Sequence, residues 1–303
     1  MADYFVVDAH AHTYKTAEVG IQALGGAGQA GCNGTPEELI EILREAGIAK
    51  AVQVNMTPMR EMYKAAVDKL SESDRGGEHP EIIRAMSERV KRRNRWTCEL
   101  AKEHAELVAF PSVDPLMGPE EMAAEVEACA KGLGAKGIKL HPAEGHYFPR
   151  DERLWPVYAK AQELGLPIIS HGGVFMMTDY EGGASYTKPE NFEPVLESFP
   201  KLKLVIAHLG HGYWEDSISL AKKYPNVYFD TSAIICGVEH LEQLSEAETV
   251  ELIRKLRVDH VMFGSDYPWF SPAASLKRFL QLPFTPSEKE KILGGNAKRI
   301  LGI

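Results

Sequence analysis

Tyr4-Phe5-Val6-Val7-Asp8-Ala9-His10-Ala11-His12 is an apolar run that ends in one acid and two imidazoles. Side chains alternate across a strand, so Asp8, His10 and His12 share a face where the strand runs that far. The same figure recurs downstream. Gly137-Ile138 leads to Lys139 and His141, Leu166 to Ser170 leads to His171, and Leu204 to Ala207 leads to His208. Val261 to Ser265 leads to Asp266. One imidazole or carboxylate at the end of each of several strands is what a parallel barrel needs to assemble a metal site at one mouth.

The intervening stretches read as helices. Thr35-Pro36-Glu37-Glu38 combines an N-cap, a proline at the first helical position and a capping-box glutamate. Leu39, Ile42, Leu43 and Ala46 follow at helical spacing, and Gly47 stops the helix. Further helices are predicted from Pro119 (stripe Met122, Val126, Cys129, Leu133), at 151–164, 192–199, 213–223 and 246–256. Strands are predicted at 51–55, 107–113, up to His141, 167–171, 202–208, 227–230 and 260–264, making eight with the first. Alternating strand and helix implies a parallel sheet. Eight units over about 250 residues predict a closed (β/α)8 TIM barrel, read as a single domain over 1–303. An open doubly wound sheet is the alternative, but it would not bring the ends of the first, fifth and last strands together. Two segments exceed an ordinary loop: the glycine-rich Gly20 to Gly34, and Thr57 to Ala105, a helical insertion or lid after the second strand.

Composition narrows the function. At 303 residues the chain can bury a large core, and its formal charge of −9 argues against nucleic-acid binding. The basic run Arg89-Val90-Lys91-Arg92-Arg93 reads as a solvated helix face. Cys32, Cys98, Cys129 and Cys236 form no CxxC pair, which excludes a thiolate zinc site and a disulfide framework. No signal-peptide pattern is seen, and no apolar run approaches the ~20 residues of a membrane span. A cytoplasmic protein without a membrane partner is expected.

Taken singly, the candidate residues are weak signals. A histidine closing a buried strand is as often a hydrogen-bonded core residue as a ligand, and an aspartate there often caps the next helix. Their shared station at strand ends weakens both bland readings. Lys139 is costly to bury unpaired. It contacts an anionic substrate, carries a metal-bridging carboxylate, or makes a salt bridge to Glu144 or Asp8. Tyr14, Tyr267 and Trp269 are candidates to wall a pocket.

The motifs His10-Ala11-His12, Gly137-Ile138-Lys139-Leu140-His141-Pro142, Ile169-Ser170-His171, Ala207-His208-Leu209-Gly210 and Phe263-Gly264-Ser265-Asp266-Tyr267-Pro268 resemble, in order, the amidohydrolase superfamily. The resemblance runs nearly end to end, through Ile292 to Ala297, and is nearest to the amidohydrolase-related branch of metal-dependent hydrolases and decarboxylases. It implies one divalent metal ion, Zn2+ or alternatively Mn2+, on His10, His12, His171 and Asp266. It implies Asp266 and His208 as acid–base residues, and Asp8, Lys139, His141 and Trp269 as groups that bind substrate or support the ligands.

The expected reaction is hydrolysis of a small carboxylated substrate, such as a lactone or amide, by metal-activated water. The runner-up is non-oxidative decarboxylation of an aromatic or muconate-type acid with the same ligands. Lys139, His141, His146 and Arg60 are candidate holders of a substrate carboxylate. A homodimer, where one forms, would use the 57–105 insertion.

Overall fold

The structure, a computed structural model, describes residues 4–26, 28–175, 185–238 and 243–303. Its strands are β1 Val6–Ala11, β2 Ile48–Gln53, β3 Leu107–Ala109, β4 Ile138–Leu140, β5 Ile168–Ser170, β6 Leu204–Ile206, β7 Val227–Asp230 and β8 Val261–Met262. β1 to β3 form one parallel sheet and β4 to β8 another. Backbone hydrogen bonds join the two sheets along both edges. Lys139 N donates to the Pro111 carbonyl at 2.8 Å, carrying β3 into β4. On the other side Ala9 N donates to Phe263 O at 2.8 Å, His12 N to Tyr267 O at 2.7 Å and Asp266 N to His10 O at 2.9 Å. The strands therefore follow one another around a (β/α)8 barrel, as the alternation predicts.

The helices form where capping chemistry allows. Helix α1 is Ala17–Leu24, α2 Pro36–Ala46, α3 Met59–Val67, α4 Pro80–Glu103 and α5 Pro119–Glu127. Thr35 caps α2 by accepting from Glu38 N at 3.3 Å, and Gly47 ends it at φ 70°. Helices α3 and α4 are the two expected in the 57–105 insertion.

Two expectations need correction. Gly20 to Gly34 is not all loop, because α1 occupies its first part. Thr16 accepts from Val19 N at 3.4 Å to start α1, and Gly25 stops it at φ 56°. Gly20 serves close approach: a Cβ there would lie 1.9 Å from the Asn33 carbonyl oxygen. The helix from Pro119 widens into a π-helical segment at Ala128–Leu133, although Cys129 stays fully buried as expected.

Two apolar clusters hold the barrel. Val7, Val52, Val108, Ile169, Val205 and Met262 pack with Ile300 and Leu301 of the closing helix Asn296–Leu301. Burying each such side chain is worth about 1.5–3 kcal/mol. Alternate strand residues, including Ile168, Leu204 and Val227, pack in the larger cluster with helix residues such as Leu39, Leu43 and Ile253. The polar residues come where these strands end. Among the described residues no helix is long and apolar enough to cross a membrane.

Candidate metal centre

His10, His12 and Asp266 meet where β1 adjoins the chain leaving β8. Each offers one ligand atom, and these atoms lie within 4.8 Å of one another. Asp266 Oδ1 is 3.6 Å from His10 Nε2 and 3.5 Å from His12 Nε2. Ligands about 2.1 Å from a common ion in tetrahedral array stand roughly 3.4 Å apart, so these spacings suit a divalent cation. Asp266 adopts φ 73°, the left-handed region, which an aspartate tolerates better than most residues. The indole of Trp269 meets His12 edge-on at 5.4 Å.

The tautomers follow from the partners behind each ring. Asp230, at the end of β7, lies 3.0 Å from His10 Nδ1. A carboxylate takes a proton there, so the lone pair of Nε2 faces Asp266. Burial would push Asp230 up, but His10, His208 and Ser232 hold it at about 2. His208 Nδ1 lies 3.1 Å from the Ser232 carbonyl, which only an N–H satisfies. His208 Nε2 is then bare and accepts from His171 Nδ1 at 3.1 Å. That leaves His171 Nε2 with a lone pair, and this atom is buried without a hydrogen-bond partner. Imidazole lone pairs together with a carboxylate are donors that suit a divalent metal.

Electrostatics agree with that protonation. Burial drives His12 down to about 3 and His10, His171 and His141 below their ordinary value, so all four rings are neutral at pH 7. Burial favours protonation of Asp266, but the neighbouring His12, His208 and His10 hold it well below the usual carboxylate range.

The other predicted residues divide. His171 lies outside the group of three whose atoms fall within 4.8 Å, and joins it only through its orphaned nitrogen and His208. His208, Leu209 and Gly210 take three successive left-handed conformations (φ 57°, 53° and 72°), which turn His208 back towards His171. A leucine there costs about 1–2 kcal/mol, a strain typical of functional sites. Asp8 is not one of the three grouped ligands. It accepts from Ser265 Oγ at 2.5 Å and from Ser265 N at 2.9 Å, tying β1 to β8, and burial raises it to about 7. Lys139 makes neither expected salt bridge. Its Nζ stands 3.3 Å from His10 Nε2, and burial lowers it to about 8. His141 stacks on His171 with ring centres 4.3 Å apart, while its Nδ1 accepts from Glu144 N. Tyr267 walls no pocket. It is fully buried, and its hydroxyl meets Glu38 and the Thr35 carbonyl. His146 and Arg60 are exposed. A small recess bounded by Met56, Asp114, His141, Glu144 and Tyr147 lies beside His141.

Sequence reasoning missed Asp230 and Ser232. The signal was available, because Asp230 ends the apolar run Val227-Tyr228-Phe229 just as His171 and His208 end theirs.

Comparison with known proteins points the same way. A family model described as Amidohydrolase matches residues 7–303. A gamma-resorcylate decarboxylase of a Polaromonas species is 22% identical over 266 residues, covering 72% of this chain and 77% of its own. A 2-amino-3-carboxymuconate-6-semialdehyde decarboxylase of Dictyostelium discoideum is 23% identical over 216 residues, covering 62% of this chain and 59% of its own. Among solved structures, a dihydroxybenzoic acid decarboxylase from Polaromonas with bound manganese and the inhibitor 2-nitroresorcinol superposes with a TM-score of 0.71. It is 16% identical, and the match covers 99% of this chain and 97% of that one.

Proposed function

We propose that this chain, which belongs to the amidohydrolase family, is a metal-dependent carboxy-lyase that removes CO2 from a small aromatic or muconate-type acid. The observation that carries the reading is the convergence of His10, His12 and Asp266, together with the partnerless Nε2 of His171. Hydrolysis, the first expectation, uses the same ligands. Decarboxylation leads because the two curated relatives are decarboxylases.

His10, His12, His171 and Asp266 would hold a divalent ion, manganese or zinc, which would supply positive charge to offset that of the substrate. The chain's own residues do the rest. Asp230 holds His10, and His208 holds His171, each by accepting a hydrogen bond from the ring nitrogen that faces away from the site. His208 is therefore a positioning residue in this arrangement. Asp266, already a carboxylate, accepts the hydroxyl proton of the substrate and delivers it to the ring carbon that bears the carboxylate. The carbon–carbon bond then breaks, CO2 leaves, and the electron pair returns to the ring. Solvent restores the hydroxyl proton. Lys139, inside the barrel mouth, supplies a positive charge for the anionic substrate, and Trp269 flanks its ring.

The chain acts as one barrel domain in which residues 57–105 wall the mouth. Asn94 of α4 is paired with Ser112 through two hydrogen bonds of 2.9 and 3.0 Å, which anchors the insertion to the chain leaving β3.

Metal-loaded protein should release CO2 from ortho-hydroxybenzoic acids and leave lactones and amides intact. Ring opening of lactones without CO2 release from any hydroxyaromatic acid would overturn the reading in favour of hydrolysis.

A further inference from the structure

The basic run on α4 is not wholly a solvated face. Arg89 and Arg92 are exposed, but Arg93 turns inward. Its Nη2 donates to the Thr13 carbonyl at 2.5 Å, one residue beyond the ligand His12. Its guanidinium lies over the Tyr14 ring at 5.0 Å and the Trp96 ring at 5.2 Å. No carboxylate among the described residues lies within 4 Å of it, and its Nε is buried without a hydrogen-bond partner. Lys15 approaches the same Trp96 ring, at 5.8 Å, and likewise has no acidic partner among the described residues. Two cations thus flank one indole, and neither has an anion.

Desolvating a guanidinium is costly, and a single carbonyl repays little of it. Tyr14, Arg93 and Trp96 all keep partial solvent exposure, so the group is not in a sealed core. It adjoins the metal centre through the backbone, because Arg93 is hydrogen-bonded to the residue that follows His12. Tyr14 follows His12 by two residues. Tyr14 also packs with Pro268 against Gly34, where a Cβ would come within 2.9 Å of the Tyr14 ring.

We propose that Arg93 and Lys15, walled by Tyr14 and Trp96, bind a second anionic group of the substrate, remote from the end held at the metal centre. The preferred substrate class is then a carboxylated aromatic or conjugated acid with a further carboxylate. This rests on the carboxy-lyase reading for the near end only. Guanidinium is suited to the far end, since its planar fork meets a carboxylate with two parallel hydrogen bonds.

The test compares benzoate with benzene-1,3-dicarboxylate as probes of manganese-loaded protein, by calorimetry and by quenching of tryptophan fluorescence. The wild type should bind the dicarboxylate about tenfold or more tightly than the monocarboxylate. Arg93→Met should abolish that preference and leave benzoate affinity within about twofold. Arg93→Lys should keep part of it. Lys15→Met, at an exposed position, should narrow it without any risk to folding, so a failure of Arg93→Met to fold leaves the test standing. A preference absent in the wild type, or unchanged in Lys15→Met and the folded Arg93 variants, overturns the proposal. Wild type that binds the dicarboxylate through Arg93 but does not bind benzoate supports this cleft and counts against the metal-centre reading instead.

Discussion

Asp230→Asn isolates the role of a residue that touches neither ion nor substrate. The Asp230 carboxylate receives four donors: His10 Nδ1 at 3.0 Å, His208 N at 3.2 Å, Ser232 N at 3.1 Å and the Ser232 hydroxyl. An asparagine offers one acceptor oxygen. If that oxygen turns to the two backbone amides, the new NH2 faces His10 and forces its proton onto Nε2, where the lone pair for the ion should be. If it turns to His10, two buried amides lose their acceptor. The first outcome should cost about 10–100-fold in metal affinity. That is roughly 1.4–2.7 kcal/mol. The second should cost about 1–3 kcal/mol per stranded amide, read as metal-free stability. Competition for Mn2+ against a fluorescent chelator measures the first, and urea unfolding of stripped protein the second. A variant within twofold of wild type in affinity and within about 0.5 kcal/mol in stability would refute the assignment of Asp230 as the residue that fixes the His10 tautomer.

Asp266→Asn should reduce CO2 release by about 10²–10⁴-fold at matched metal content; a loss confined to metal affinity would show that the carboxylate only ligates. Lys139→Met should tighten Mn2+ binding several-fold, because the ammonium 3.3 Å from His10 Nε2 repels the ion, and calorimetry would show weaker binding if the lysine instead supports the site. Asp114→Asn tests burial. Burial raises this carboxyl to about 6 from 3.8, so below about pH 4 both states are protonated and no penalty exists. Between pH 4 and 6 the unfolded chain loses its proton first and folding weakens, and above 6 the penalty is constant. Asparagine keeps the acceptor for Leu116 N, so the variant should gain about 1–3 kcal/mol at pH 8 relative to its effect at pH 4, and a pH-independent difference in urea unfolding would count against it. Gly294→Ala should destabilise by more than about 2 kcal/mol, since a Cβ there would sit 1.9 Å from the Phe5 carbonyl oxygen; an unchanged melting temperature would contradict this.

The barrel was legible because each of its eight units repeats one pattern, apolar run then polar terminus, which local periodicity records. His10, His12 and Asp266 were legible for the same reason. What periodicity does not record is direction at a strand end. Parity makes Asp8 an equal of His10 and His12, yet the register of β1 against β2 slips twice, between Val6 and Val7 and between Asp8 and Ala11. Such irregularities re-aim side chains, and Asp8 is claimed by Ser265. Arg93 is the converse case. Its neighbours in sequence are solvated cations, and only the close approach of α4 to Thr13 turns it inward. Helix α1 was hidden by its glycines: Gly20 serves close packing with the following loop, and Gly25 ends the helix.

The joint between the first strand and the last also sets a schedule. Asp8 and Ser265 are 257 residues apart along the chain, and His10 and His12 find their carboxylate across that same joint. At about 5–20 residues added per second, roughly 13–50 s pass on the ribosome between the two halves of the pocket. A nascent chain can collapse around β1 to β3 well before then, but it cannot yet grip an ion there. The proposed ion site would therefore be completed only once β8 and Asp266 have been made.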